Sequence, residues 1–122
     1  MGLAWVVTGL ALLGQTMNPT ADQRLLAQEL DADLRAYRAT LPAREGPLTI
    51  NAVYLNGTEI VYTGIIDSDT DEAGIERFRQ IVVQELCAGA QTGATIRRGG
   101  AFTYDLRDAG GERFITTVSR CE

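Results

Sequence analysis

Two helical patterns alternate with two pairs of strand-like segments along this chain. The first helix carries an apolar stripe that ends at Pro42, and its members recur at intervals of three or four residues: Leu26, Leu30, Leu34, Tyr37 and Leu41. The second helix runs from about Asp71 to Cys87, and its stripe consists of Ile75, Phe78, Val82 and Leu86, with Ile81 beside it. Each stripe has to be buried against a second layer of structure.

The first pair of strand-like segments, residues 48–55 and 58–66, is rich in β-branched and aromatic side chains. Asn56-Gly57 separates the two segments and is a strong signal for a two-residue type I′ hairpin turn. Such a turn would place Val53 opposite Ile60. We therefore predict an antiparallel hairpin directly after the first helix.

The second pair of segments comprises residues 101–106 and 112–120, joined by a turn that is rich in glycine. The resulting order is α-β-β-α-β-β. Hairpins with one apolar face need a covering layer, which two amphipathic helices can supply. We predict a single two-layer α+β domain over residues 18–122, in which two helices pack on a four-stranded antiparallel sheet.

A short apolar segment, residues 1–17, precedes this domain and carries no charged side chain. As a helix it would span roughly 25 Å, less than the hydrocarbon core of about 30 Å. Its length suits the apolar region of a signal peptide or a short anchor. The side chains that would enter the membrane are Leu3, Trp5, Val6, Val7, Leu10, Leu12 and Leu13.

Two other interpretations of this segment remain open. It could pack as a buried N-terminal helix or strand, or lie as a helix in the membrane interface, although it offers no basic polar face. Lipidation is not indicated, because Gln15 follows Leu12-Leu13-Gly14 where a lipidated Cys would be needed. We expect an exported domain, located at the periplasmic face of a bacterial inner membrane or in the periplasm.

Residue counts exclude several classes of function. The 122-residue chain has 11 basic residues, all of them Arg, and 16 acidic residues, which gives a net charge of −5. This balance argues against nucleic-acid binding, which needs clustered positive charge. The chain has no His and two Cys, so a Cys/His zinc site cannot be built and the commonest general base is missing. We expect neither a metal nor a cofactor.

The acidic run Asp67–Glu72 resembles the first half of a calcium-binding EF-hand loop. The match fails at the sixth and twelfth positions, where Glu72 and Phe78 replace the required Gly and Glu. The oxygens of this run also suit the positive end of the helix that follows. We expect Ser68, Asp69 or Thr70 to cap that helix, and a loose calcium site is the alternative.

The glycine-rich segment 89–100 is predicted to be a loop, and it ends in an arginine pair. One interpretation is an anion-binding loop, in which backbone N–H groups and guanidinium groups meet a phosphate or carboxylate. The residues that would form it are Arg97, Arg98, Gly99 and Gly100. The other interpretation is a solvated connection with two surface arginines.

The two cysteines, Cys87 and Cys121, stand at the predicted ends of the second helix and the last strand. An even number of cysteines near an export-like segment indicates one disulfide. Two unpaired, buried cysteines are the alternative. A catalytic redox pair is not indicated, because there is no Cys-x-x-Cys motif.

These observations favour a small, exported, membrane-tethered accessory domain that binds another protein of a membrane or envelope complex and has no catalytic activity. The alternative is a periplasmic domain that binds a small anion or other ligand through Arg97 and Arg98. An enzyme is disfavoured, because carboxylates are numerous in any acidic domain and no pair is singled out by its spacing.

Overall fold

The computed structural model describes residues 20–121, so the apolar segment 1–17, with the side chains predicted to enter the membrane, lies outside the described residues. The described elements are α1 (Ala21–Arg38), β1 (Ala43–Glu45), β2 (Leu48–Asn56), β3 (Glu59–Ile66), α2 (Glu72–Ala88), α3 (Ala90–Arg97), β4 (Ala101–Arg107) and β5 (Arg113–Val118). None of these helices is long and apolar enough to cross a membrane.

The strands form a five-stranded sheet in the order β1-β2-β3-β4-β5. The α+β class is confirmed, but the prediction of four antiparallel strands is wrong in two respects. First, Ala43–Glu45 adds a short edge strand after Pro42, too short to show an alternating pattern. Second, β3 and β4 are parallel, because the helices α2 and α3 form a crossover between them rather than a hairpin.

The β2–β3 hairpin differs from the prediction in register. Asn56 pairs with Glu59, so the two loop residues are Gly57 and Thr58, and Val53 lies opposite Tyr62 rather than Ile60. Gly57 has a φ of 65°, whereas no described residue other than glycine has a positive φ. A glycine at the first loop position is the pattern of a type II′ turn, so the predicted type I′ turn is wrong.

All three helices lie on one face of the sheet and share one hydrophobic core with it. The fully buried members of this core are Leu26, Leu30, Leu34, Val53, Ile60, Val82, Leu86, Ile96, Phe102 and Val118. The opposite face of the sheet leaves Tyr54, Ile65 and Ile115 exposed. The predicted two-layer arrangement is therefore confirmed.

At the start of each long helix a side chain accepts a hydrogen bond from one of the free backbone N–H groups. At α1 the hydroxyl of Thr20 accepts from Gln23 N at 3.1 Å, and Thr20 N donates to the Gln23 side chain at 2.9 Å. At α2 the cap is Asp71, which accepts from Gly74 N at 2.8 Å. The acidic run therefore does cap the helix, but through Asp71 rather than Ser68, Asp69 or Thr70.

The segment predicted to be a glycine-rich loop is largely the helix α3, so that prediction is wrong. Its helical state is stabilised by tertiary packing, since Ile96 is buried in the core. Gly93 is buried as well, and a Cβ there would lie 3.0 Å from the Cys87 carbonyl oxygen. This glycine therefore allows α3 to pack closely against the end of α2, which a count of glycines cannot reveal.

The turn between β4 and β5 is attached to the start of α2 through Asp108, whose side chain is buried. Its carboxylate accepts from the Thr70 backbone N–H at 3.1 Å and from the Thr70 hydroxyl at 2.9 Å. It also accepts from Glu112 N at 2.9 Å. The two hydrogen bonds from Thr70 fix the N-terminal end of α2 to the β4–β5 hairpin, and the one from Glu112 holds Asp108 in place within the turn.

The disulfide that the sequence predicts is present between Cys87 and Cys121, whose Cα atoms lie 5.6 Å apart. Cys87 belongs to the last turn of α2, and Cys121 lies three residues beyond β5. The bond therefore attaches the end of β5 to the C-terminal end of α2.

Candidate functional site

Four aromatic side chains form a continuous row, called here the aromatic row: Tyr37, Tyr62, Tyr104 and Phe78. The ring centroids of Tyr37 and Tyr62 are 5.9 Å apart in an edge-to-face arrangement. Tyr62 stacks on Tyr104 at 5.0 Å, and Phe78 meets the edge of Tyr104 at 5.8 Å. These separations lie in the range that aromatic pairs prefer. The row runs from α1 across β3 and β4 to α2.

The secondary structure explains how this row assembles. Tyr62 and Tyr104 are paired positions on the parallel strands β3 and β4, so their side chains leave the same face of the sheet. Tyr37 continues the apolar stripe of α1, three residues after Leu34, and Phe78 belongs to the stripe of α2. α1 packs over β2, whereas α2 packs over β5 and against α3. The row therefore occupies the space between the two long helices.

The aromatic row is the place where the core reaches the surface. All four of its residues are half-buried, and they pack against two separate clusters of fully buried side chains. The first cluster contains the core residues named above, and the second consists of Ile50, Ile66, Leu106 and Phe114. The row therefore presents partly exposed aromatic rings that pack against both clusters on their buried side.

A cavity of about 600 Å³ adjoins the aromatic row at Phe78. Its apolar lining also includes Pro47, Ile66 and Ile81, and Ile81, which lies beside the apolar stripe of α2, is 51% exposed. The charged side chains in its lining are Asp69, Asp71 and Arg77. A concave, largely apolar surface with a few polar groups is typical of a binding site.

The tyrosines of the row remain uncharged at physiological pH. Burial, together with the neighbouring phenols and Glu45, raises the pKa of Tyr62 far above its usual range. Burial, with smaller contributions from Glu45, Tyr37 and Glu85, raises the pKa of Tyr104 to about 12. The pKa of Tyr37 is also raised, by burial and by Glu45. The row can therefore offer ring faces and neutral hydroxyl groups, but no negative charge of its own.

Three of the four residues predicted to bind an anion, Arg98, Gly99 and Gly100, make hydrogen bonds within the protein. Arg98 donates to both carboxylate oxygens of Glu29, at 2.8 and 3.2 Å. Gly99 N donates to the Ile96 carbonyl at 3.0 Å and Gly100 N to the Thr95 carbonyl at 2.9 Å. Arg97 lies in the last turn of α3. The N–H groups of Gly99 and Gly100 are therefore already used, and anion binding through Arg97 stays a prediction.

The acidic run does not form a cation site. Asp71 caps α2 and Asp67 lies 3.6 Å from Arg44 in an ion pair. Within residues 20–121, no group of three or more Cys, Asp or Glu side chains is arranged to hold a metal ion.

Sequence reasoning missed the aromatic row as a site. Helical periodicity puts Tyr37 and Phe78 on the apolar stripes of the two predicted helices. In residues 101–106, alternation puts Tyr104 on the same face of the strand as Phe102. What was missing was the parallel pairing of β3 with β4, which brings Tyr62 next to Tyr104. The available signal was the long segment between the two strands, which is typical of a crossover.

No known protein family matches the chain, and no curated protein matches it either. Three solved structures share its fold. The type II secretion system pilotin AspS from Vibrio cholerae is 21% identical with a TM-score of 0.68, and the match covers 80% of this chain and 92% of AspS. The type 2 secretion system pilotin EpsS from Vibrio vulnificus is 17% identical with a TM-score of 0.70, and the match covers 83% of this chain and 96% of EpsS.

The third structure is a candidate secreted protein from Pseudomonas aeruginosa, 11% identical with a TM-score of 0.67, and the match covers 83% of this chain and 95% of that one. At these identities the comparisons establish a shared fold. This chain therefore has the fold that two type II secretion pilotins adopt over most of their length.

Proposed function

We propose that this chain is a small accessory protein of a bacterial envelope complex, and that it acts by binding another protein rather than by catalysis. The observation that carries this proposal is the aromatic row with its adjoining cavity, which together form an apolar surface between α1 and α2. A type II secretion system is the favoured complex, because two neighbours of the same fold are pilotins of that system.

The chemistry of the surface suits a protein partner. Tyrosine and phenylalanine rings offer large contact areas at a small cost in side-chain entropy, and such residues are enriched at the centres of interfaces. Here Tyr62 and Tyr104 are already held by their neighbours before a partner arrives. A preorganised surface loses less entropy on binding, which favours affinity.

Two further features support a location in the bacterial envelope. The disulfide between Cys87 and Cys121 is typical of proteins that fold in an oxidising compartment. The uncharged segment 1–17 supplies the apolar sequence that export or membrane tethering requires. We propose that it directs export of residues 18–122 as a single domain, at the periplasmic face of the inner membrane or in the periplasm.

Co-purification from the bacterium that encodes this chain tests the proposed partner. The tagged full chain is cross-linked in cells and purified from the solubilised envelope, and bound proteins are identified by mass spectrometry. Ile81→Glu places a charge beside the aromatic row. Ile115→Glu is the matched control, because Ile115 is 49% exposed but lies on the opposite face of the sheet.

We expect subunits of a type II secretion system with the wild-type chain and with Ile115→Glu, and a large loss of them with Ile81→Glu. Recovery of no envelope-complex subunit, or an equal loss with both variants, would contradict the proposal. Intact mass of the purified chain, measured with and without reduction, reports cleavage of the N-terminal segment and the presence of the disulfide.

A further inference from the structure

Two carboxylates flank the aromatic row, Glu45 from β1 and Glu85 from α2. Glu45 is paired with Leu48, which packs against the second buried cluster, so Glu45 lies on the helix-covered face of the sheet. Glu85 comes seven residues after Phe78, two turns along the same side of α2. Both carboxylates contribute to the raised pKa of Tyr104, which agrees with this placement.

Neither of these carboxylates has a cationic partner within residues 20–121. The acidic side chains that do form ion pairs with arginine there are Asp31, Asp67, Glu76, Glu29 and Asp105. The lining of the adjoining cavity contains two aspartates, Asp69 and Asp71, and one arginine, Arg77. Among residues 20–121 the surroundings of the aromatic row are therefore negative, and the two glutamates that flank it form no ion pair there.

We infer that the partner segment bound by the aromatic row is basic as well as apolar. An aliphatic or aromatic side chain would occupy the cavity between Phe78 and Ile81, and a Lys or Arg would lie near Glu45 and Glu85. This inference rests on the proposed function, since it adds the chemistry of the partner to the same surface.

The faces of the tyrosine rings also favour a cationic side chain on the partner. A guanidinium or ammonium group over a tyrosine ring is attracted by the negative face of the ring, and the attraction grows as the site is desolvated. Glu45 and Glu85 are exposed, so each contributes modestly in contact. Together they also attract a basic segment at long range and speed its association at low salt. The chain's own uncharged residues 1–17 would satisfy only the apolar part of this surface.

Selection of random short peptides by phage display on the immobilised full chain in detergent tests the inference. The selected peptides are then synthesised, and their affinities are measured by fluorescence anisotropy. The variants Glu45→Gln and Glu85→Gln each remove one negative charge without changing shape. Glu29→Gln is the matched control, because Glu29 is an exposed glutamate of α1 that pairs with Arg98, eight residues before Tyr37.

We expect the selected peptides to combine Lys or Arg with aliphatic or aromatic residues. Each of the two substitutions should weaken binding about two- to fivefold, as for exposed ion pairs, and the double variant should weaken it by about the product of the two factors. Glu29→Gln should leave the affinity unchanged. Raised salt should weaken binding to the wild type more than to the double variant.

The Ile81→Glu variant separates failure of this inference from failure of the proposed function. Peptides that lose affinity with Ile81→Glu but lack basic residues, or that bind Glu45→Gln and Glu85→Gln as tightly as wild type, would overturn the inference and leave the surface as a binding site. Peptides that are indifferent to Ile81→Glu, or no enrichment at all, would count against both. Circular dichroism confirms that each variant is folded.

Discussion

Tyr62 and Tyr104 occupy paired positions on the parallel strands β3 and β4, and their rings stack with centroids 5.0 Å apart. This is the one parallel contact in the sheet formed by the described residues. The crossover through α2 and α3 thus creates the centre of the candidate site and at the same time places α2 along its border.

Alkaline titration is expected to show that burial raises the pKa of a tyrosine in the aromatic row. Burial raises the pKa of Tyr104 to about 12, against about 10 in an unfolded chain. Its contribution to stability is therefore complete below pH 10 and falls as the pH rises toward 12. Absorbance titration should show that Tyr104→Phe removes an ionisation near pH 12, whereas Tyr54→Phe, on the exposed face of the sheet, retains it. An unchanged titration in Tyr104→Phe would contradict this assignment.

Removal of the disulfide is expected to lower stability substantially. The bond between Cys87 and Cys121 spans a sequence separation of 34 residues, and the loop-entropy relation gives about 4 kcal/mol for a ring of this size. The double variant Cys87→Ser, Cys121→Ser should lose about that free energy of unfolding in urea. The oxidised and reduced wild-type proteins serve as the internal comparison, and equal stability of the two would refute the prediction.

Acid is expected to weaken the attachment of α2 to the β4–β5 turn. Burial alone would raise the pKa of Asp108, but the hydrogen bonds from Glu112, Thr70 and Gly110 outweigh it and lower that pKa. The stabilisation is present above the unfolded pKa of about 4 and is lost as the pH falls through the lower folded value. Urea unfolding from pH 7 downward should show a smaller loss of stability below pH 4 for Asp108→Asn than for wild type. An identical pH dependence would exclude Asp108 as the responsible group.

The substitution Thr116→Val is expected to stabilise the protein. The Thr116 side chain is 2% exposed, and within residues 20–121 its hydroxyl has no hydrogen-bond partner. Valine has nearly the same shape and avoids the desolvation of a polar group, so a gain of about 1 kcal/mol is expected. Urea unfolding measures it, and Thr117→Val on the exposed side of β5 is the contrasting variant, which should lose stability because the Thr117 hydroxyl lies 2.8 Å from that of Thr103. A loss of stability in Thr116→Val would show that the hydroxyl is satisfied after all.

Local patterns predicted the two long helices, because helical periodicity is visible within a few turns of sequence. Leu26, Leu30 and Leu34 recur at helical spacing, and all three are buried as the stripe indicates. The same logic predicted the cysteine pair from its position at element ends. Alternation alone does not decide the inner face of β5, because both of its faces carry apolar side chains. The structure buries Phe114 and Val118, whereas Ile115 is exposed.

Features that depend on contacts between distant parts of the chain could not be predicted in this way. β1 becomes a strand only by pairing with β2, and α3 becomes a helix by packing Ile96 into the core and Gly93 against the end of α2. The aromatic row needs the pairing of β3 with β4, which are separated by two helices. No local periodicity carries that information.

The disulfide and the Asp108 hydrogen bonds hold α2 at its two ends to the same hairpin. At its C-terminal end Cys87 is bonded to Cys121 beyond β5, and at its N-terminal end Thr70 is held by Asp108 in the β4–β5 turn. α2, which carries Phe78, Ile81 and Glu85, is thus held in place at both ends. An incoming segment therefore has to fit α2 as it stands, because movement of α2 would break the disulfide or the hydrogen bonds to Asp108.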